Sequence, residues 1–252
     1  MTASEGVKSA RRTLEILELF DRRKTSLSAQ DVTDELGYPQ SSTSLILRTM
    51  TAMGYLYYDG SERVYRLSPR VALLGAWLSE SLFHDGRISA LMQDASERTG
   101  QTVMLGIESR LRVQYVHIVE GKGAIRLHLT PGLMRALSRC SIGLIFLADR
   151  TDAEIRRLMQ RLVSEDPTAM PISYDELLEK VHRVRQLGYA ISANLAADGV
   201  GSISIKLPTI ISDRPICIAV GCTDTMLFRE ETRFVSILRE TVGQYFSTEP
   251  GR

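Results

Sequence analysis

The chain has few cysteines, few histidines and no excess of either charge, and each shortage removes a class of protein. Its three cysteines, Cys140, Cys217 and Cys222, are odd in number and stand at no metal-ligand spacing to any of the four histidines, so neither a disulfide framework nor a zinc site fits. A net charge of +1 gives no global pull toward nucleic acid or a membrane surface, so such binding must come from local placement of charge. No apolar run approaches the roughly 20 residues that span a bilayer. Residues Met1–Gly6 also lack the basic and apolar regions of a signal peptide. A cytoplasmic protein without membrane contact is expected. The GxSxG, HExxH and GK(S/T) signatures are missing too, and Gly199-Val200-Gly201 is at most half of a dinucleotide fingerprint. A hydrolase would need a base beside its nucleophile, and Cys140 with His117 is a pair that no spacing recommends. No enzyme, cofactor or metal site is therefore expected.

What is present is enough apolar material, 44% of 252 residues, to bury a core in each of two domains. The most informative stretch is Leu27–Leu67. Leu27, Val32 and Leu36 fall on one face of a short helix, and Gly37 suits the left-handed position just past its end. Pro39 suits the first turn of a second helix, along which Ile46, Leu47, Met50 and Met53 recur at helical spacing until Gly54. Tyr55–Tyr58, Asp59-Gly60-Ser61-Glu62 and Arg63–Leu67 then read as a β-hairpin. Helix, turn, helix and hairpin make a winged helix-turn-helix, a unit that lays its second helix in a DNA groove.

A first helix from Val7 precedes it, with Leu14, Leu17 and Phe20 expected inward, Ile16 filling in, and bases at both ends. Up to Phe83 acids and bases balance, so DNA contact has to rest on geometry. The candidate contacts are Lys8, Arg11 and Arg12 at the start of helix one and Ser28 before the first helix of the pair. On the second helix they are Gln40, Ser41, Ser42, Ser44, Leu45 and Arg48, and on the wing Arg63 and Arg66. Gln40 can pair bidentately with adenine, Arg48 can reach a phosphate or a guanine, and the helix N-terminus itself favours a phosphate. The competing reading is that the serines only satisfy local backbone groups and the arginines are solvated. A winged-helix module that binds protein rather than DNA is the further alternative.

Val71, Leu73, Leu74, Trp77, Leu78 and Leu82 are apolar on more than one side of a helix, read as a linker over residues 69–85 and part of a dimer contact. The domains are thus expected at 1–68 and 86–252. The second opens with a helix around Ile88–Ala95, followed by strands over Thr102–Glu108, Arg112–Val119 and Ile125–Leu129. Helices are expected over Ser141–Leu147, Asp152–Leu162 and Tyr174–Leu187. Strands Ala190–Asn194, Gly201–Leu207 and Pro215–Gly221 and a closing helix Glu230–Phe246 complete it. The simplest architecture is α+β, an antiparallel sheet flanked by helices.

Four separated segments carry a resemblance: LSAQDVTDELGYPQSSTSLILRTMTAMGYL, YRLSPRVALLG, GLMRALSRCSIGLIFLA and LGYAISANLAADGVGSISI. Together they resemble the IclR-type family of bacterial transcription regulators across nearly the whole chain. The resemblance implies a winged helix-turn-helix joined by a linker helix to a GAF-like effector-binding domain. It also implies double-stranded DNA and a small carboxylate effector as partners, and a homodimer or tetramer, for which a palindromic operator is expected. Two departures stand out. Ser44-Leu45 occupies the middle of the recognition helix where relatives carry His or a similar residue followed by Arg. Ala136-Leu137-Ser138-Arg139 stands where they carry Pro-Leu-His.

In the family the acid group is held at the start of the helix that begins here after Cys140, where the N–H groups of Ser141 and Ile142, expected to be free, and the helix dipole suit a carboxylate. Motif matching adds Ser192, Ser202, Ala219 and Gly221 from the last strands. Because Ala219 and Gly221 are small and non-polar, a bulkier, partly apolar or aromatic acid is expected, walled by Leu127, Leu133 and Leu137. Each of these leucines and Ile142 taken alone reads more readily as core, and the three cysteines as small buried hydrophobes.

Overall fold

A computed structural model describes residues 7–76, 86–123, 129–211 and 214–246. The chain divides into two compact units, within Met1–Ser81 and within Leu82–Arg252.

In the first unit, α1 (Lys8–Arg23) is followed by β1 (Leu27–Ser28), α2 (Ala29–Leu36), α3 (Gln40–Ala52), β2 (Leu56–Asp59), β3 (Val64–Leu67) and the single turn α4 (Arg70–Leu73). Its core is Ile16, Leu19 and Phe20 of α1 packed with Leu27, Val32, Leu47, Met50, Leu56 and Tyr65. Leu14, expected inward, is exposed, because it lies two residues from Ile16 and hence on the other side of the helix. Leu27 is buried but not helical: it pairs with Tyr65 in the strand order β1-β3-β2. The helix starts only at Ala29 because Ser28 and Asp31 form a reciprocal capping box. Gly37, at φ 65°, ends α2 as expected. Pro39 stands just outside α3 rather than in its first turn. Trp77, Leu78 and Leu82 of the expected linker helix lie outside the described residues; before them the chain forms α4 and a turn.

The second unit holds α5 (Arg87–Thr99), β4 (Thr102–Ser109), β5 (Arg112–Val119), β6 (Met134–Ala136), α6 (Ser141–Ala148), α7 (Asp152–Glu165), α8 (Tyr174–Leu187), β7 (Ala190–Ala193), β8 (Val200–Ile211), β9 (Arg214–Thr223) and α9 (Asp224–Phe246). The strands form one antiparallel sheet in the order β6-β5-β4-β9-β8-β7. Residues 125–128 of one expected strand lie outside the described residues, whereas β6, which the sequence reading missed, pairs with β5. The closing helix begins at Asp224 rather than Glu230. Asp224 Oδ1 accepts the Thr225 N–H at 2.6 Å, Thr223 Oγ1 accepts the Met226 N–H at 3.3 Å, and Leu227 is drawn into the core.

Two glycines report how closely the helices approach the sheet. A Cβ on Gly201 would run into Leu227 of α9, and one on Gly106 into Ile142 of α6. The two helices therefore cover opposite faces. On the α6 side, Leu137, Cys140, Ile142 and Leu144–Leu147 share a core with Met104, Val113, Tyr115, Ala190, Cys217 and Ala219. All residues of α6 from Ser141 to Leu147 are buried, so this helix has no solvent face, as its unbroken apolar sequence requires.

Candidate functional sites

In the first unit, burial of Thr43, Leu47 and Met50 turns Gln40, Ser41, Leu45, Arg48 and Thr49 of α3 outward. Gln40 and Ser41 are exposed at the helix start. Arg48 donates from Nε only to the Ser44 carbonyl one turn back, at 3.3 Å, so its guanidinium remains on the outer face. Ser42 differs from its neighbours. Its hydroxyl donates to the Pro39 carbonyl at 2.9 Å and accepts from Arg12 Nη1 at 3.0 Å. The Arg12 guanidinium also lies over the Tyr38 ring, 4.6 Å from its centroid, and the Tyr38 hydroxyl bonds Glu15. The Arg12–Ser42 pair thus ties α1 to the first turn of α3, a role that the spacing of 30 residues could not reveal. Arg11 faces Glu15 at 3.8 Å, and Lys8 is exposed at the start of α1. Ser28 gives its hydroxyl to Asp31 at 2.7 Å.

On the wing, Arg63 adopts the left-handed conformation, φ 56°, so it belongs to the hairpin turn rather than to a strand. Arg66 sits on β3 and pairs with Glu62 at 2.9 Å. Asp59 closes the turn by accepting the Ser61 N–H at 2.9 Å and the Glu62 N–H at 3.2 Å, an Asx-type arrangement. Tyr57 and Tyr58 are exposed beside it, and neither was singled out by spacing.

Leu45, 60% exposed, does more than present a methyl group. It lines a concavity of about 480 Å³ with Ala10, Thr13, Leu17, Ile46, Met53 and Leu74.

In the second unit the three expected serines, drawn from α6, β7 and β8, converge. The Ser141 N–H is not free: it donates to Ser192 Oγ at 3.1 Å. Ser141 Oγ and Ser202 Oγ are 2.7 Å apart, and Ser192 Oγ and Ser202 Oγ 2.9 Å. Ser192 and Ser202 are direct cross-strand partners, and Gly221 is the partner of Ser202 on β9. The expectation of an open N–H pair is therefore corrected to a closed hydroxyl network at the helix start. Its cause is register, which brings two hydroxyls under a helix terminus that Cys140 does not cap. Leu137, Cys140, Ile142 and Ala219 are buried around it, and Leu133 is half-buried against the same core. Leu127 lies outside the described residues.

Burial pushes the Cys140 thiol up to about 11, so it is a neutral packing group. The departure segment before α6 is structural: Ser138 Oγ donates to the Ala169 carbonyl at 2.5 Å, and Arg139 donates to the carbonyls of Thr168 at 2.7 Å and Leu195 at 3.0 Å. The other end of α6 is fixed by Arg150, which spans both Glu108 oxygens at 2.7 Å and the Phe146 carbonyl at 2.7 Å. Lys206 also pairs with Asp149 there, at 2.6 Å.

Among the described residues no group of His, Cys, Asp and Glu could hold a metal ion, and no helix is long and apolar enough to cross a membrane.

A winged helix-turn-helix in one unit places the chain among helix-turn-helix proteins, with an antiparallel sheet domain as its second unit. Family models place it further. The model described as IclR helix-turn-helix domain matches residues 9–60, and that described as bacterial transcriptional regulator IclR C-terminal matches residues 86–245. The chain belongs to the IclR family of bacterial transcriptional regulators, which are DNA-binding proteins rather than enzymes. It is 25% identical to the Escherichia coli regulator XynR over 203 residues, covering 80% of each chain. To the E. coli regulator RhmR it is 27% identical over 238 residues, 92% of this chain and 89% of that one. The structure of an IclR transcriptional regulator from Alicyclobacillus acidocaldarius superposes with a TM-score of 0.72 at 22% identity, covering 96% of this chain and 98% of that one. The Thermotoga maritima IclR structure gives 0.69 at 16% identity, covering 94% and 96%.

Proposed function

We propose that this regulator binds a palindromic operator as a cytoplasmic homodimer or tetramer, and that a small, partly apolar or aromatic carboxylate bound at the start of α6 controls its DNA affinity. The observation that carries the effector reading is the Ser141–Ser192–Ser202 hydroxyl network at the start of α6, where Ser192 takes the N–H that Cys140 does not cap. A carboxylate there exchanges hydroxyl–hydroxyl bonds for charge-assisted ones and meets the positive end of the helix dipole. Leu137, Ile142, Ala219 and Gly221, with Leu133, supply the apolar wall.

Because the far end of α6 is held by Glu108, Arg150, Asp149 and Lys206, occupancy of the near end can tilt the helix about that anchor. Such a tilt changes DNA affinity only to the extent that the acid binds one arrangement of the oligomer better than another, with the segment 69–85 linking the two domains. In DNA binding, Gln40, Ser41, Ser44 and Arg48 face the bases, Lys8, Arg11, Arg63 and Arg66 the phosphates, and Arg12, Ser28 and Ser42 hold the frame. The concavity around Leu45, Leu17 and Met53 supports pairing of two copies through their first units.

The test is a thermal-shift screen of small carboxylates on the full chain, followed by a gel shift on DNA upstream of its own gene with and without the hit. A stabilising acid that changes operator affinity is expected. Sequence-independent weak DNA binding, or tight binding of a two- or three-carbon keto acid with no response to aromatic acids, overturns the corresponding half of the reading.

A further inference from the structure

Ser204 stands two residues beyond Ser202 on β8, so its side chain lies on the same face of the sheet, beneath α6. It is fully buried, and its hydroxyl has no hydrogen-bond partner among the described residues. The other orphaned side-chain atoms found are Arg12 Nε, Thr33 Oγ1 and Thr43 Oγ1, all in the DNA-binding unit. A buried hydroxyl without a partner disfavours the folded state, and alanine in the same place would not. Nor do its neighbours in the sheet explain it. The cross-strand partners of Ser204 are Ala190 and Ala219, which carry no polar side-chain group and belong to the core that α6 completes. The row Ala190–Ser204–Ala219 therefore lies beside the row Ser192–Ser202–Gly221, and both are built of small residues.

We infer that Ser204 is a specificity residue for the effector, hydrogen-bonding a second polar group at the end of the ligand away from its carboxylate. This rests on the proposed carboxylate site at Ser141, Ser192 and Ser202. Two residues of strand separate Ser202 from Ser204 by about 6.6 Å. The ligand this spacing selects carries a hydroxyl or carbonyl at roughly that distance from its acid group, on a frame narrow enough to lie across Ala190, Ala219 and Gly221. A monofunctional acid of the same shape leaves the Ser204 hydroxyl unpaired and binds less well.

The experiment is calorimetry on the full chain with benzoate, 4-hydroxybenzoate and 2-hydroxybenzoate, using the wild type, Ser204→Ala and Ser192→Ala. The wild type is expected to bind 4-hydroxybenzoate about tenfold more tightly than benzoate, the ratio one neutral hydrogen bond supplies, and 2-hydroxybenzoate is expected to gain nothing. Ser204→Ala is expected to erase that preference while keeping benzoate affinity, and to leave the melting temperature of the free protein unchanged or higher, since it removes an orphaned hydroxyl. Ser192→Ala is expected to weaken all three acids. If the acids bind through Ser192 but the 4-hydroxyl preference is absent, or survives in Ser204→Ala, the role of Ser204 is overturned and the carboxylate site stands. If none of the three acids binds, or if they bind equally well to Ser192→Ala, both readings fall.

Discussion

The backbone N–H of Ser141 donates to the hydroxyl of Ser192, 51 residues further along the chain, at 3.1 Å. This bond couples the start of a wholly buried helix to an edge strand of the sheet, and Ser202 closes the circuit from the neighbouring strand. Removing the Ser192 hydroxyl leaves the buried Ser141 N–H without its partner, while Ser202 keeps its bond to Ser141 Oγ. Ser192→Ala is therefore expected to destabilise the effector domain by about 1–3 kcal/mol, read from the urea midpoint. An unchanged midpoint would mean that the network carries no stability.

Arg12 is engaged by Ser42 and Tyr38, whereas Lys8 and Arg63 are exposed and, among the described residues, have no ion pair. Arg12→Ala is expected to lower operator affinity about tenfold by loosening the first turn of α3, while the slope of log affinity against log salt stays that of the wild type, because no phosphate contact is lost. Arg12→Lys should not rescue it, since a point charge cannot span Ser42 and stack on Tyr38. Lys8→Ala and Arg63→Ala are each expected to flatten the salt slope by about 0.9. A flattened slope for Arg12→Ala would assign it to the phosphates.

Gly143 sits where α6 passes over the turn at Leu137. A Cβ there would press on the Leu137 carbonyl oxygen, inside the 3.0 Å that real Cβ atoms keep, and the obstacle is backbone. Gly143→Ala is expected to cost about 3 kcal/mol and to lower the melting temperature of the effector domain, even though alanine is the better helix former. A rise in melting temperature would show that helix propensity outweighs the collision.

Acid should weaken the folded state through carboxylates that accept bonds in it. Asp31 is held below its ordinary value by the Ser28 N–H and hydroxyl, and Glu154 by the Thr151 hydroxyl and N–H. Glu176 is lowered by the Ser173 N–H and hydroxyl, and Asp152 by Arg185 and then His182. Groups depressed in the folded state favour it above their unfolded values and lose that contribution as pH falls through the folded ones. The urea midpoint is thus expected to drop between about pH 5 and pH 3. A midpoint that is flat or rising over that interval contradicts the assignment.

The thiols should be silent. Burial pushes Cys140 up to about 11, Cys222 up to about 12 and Cys217 higher still. A disulfide reagent at pH 8 is expected to find no fast-reacting thiol in the folded protein and three after denaturation. A rapid native reaction at Cys140 would expose the helix start.

The residues by themselves determined the local elements and the family. Left-handed glycines at Gly37 and Gly188 and apolar periodicity are short-range effects that mark α2 and α8 without reference to the rest of the chain, and the capping boxes of Ser28, Thr151 and Ser173, local too, fix the starts of α2, α7 and α8. The serines at 141, 192 and 202 were legible as a set only through the family resemblance; no spacing joins them.

Tertiary structure decided what those groups touch. Strand register paired Ser192 with Ser202 and so took the Ser141 N–H that the sequence reading left open. The packing of α1 on α3 turned Arg12 inward to Ser42 and put Leu45 at the edge of an apolar hollow. The same register left Ser204 between two alanines. The physical reason is common to all: a hydrogen bond or a buried contact depends on the separation in space of groups far apart in sequence. Only the folded backbone sets that separation.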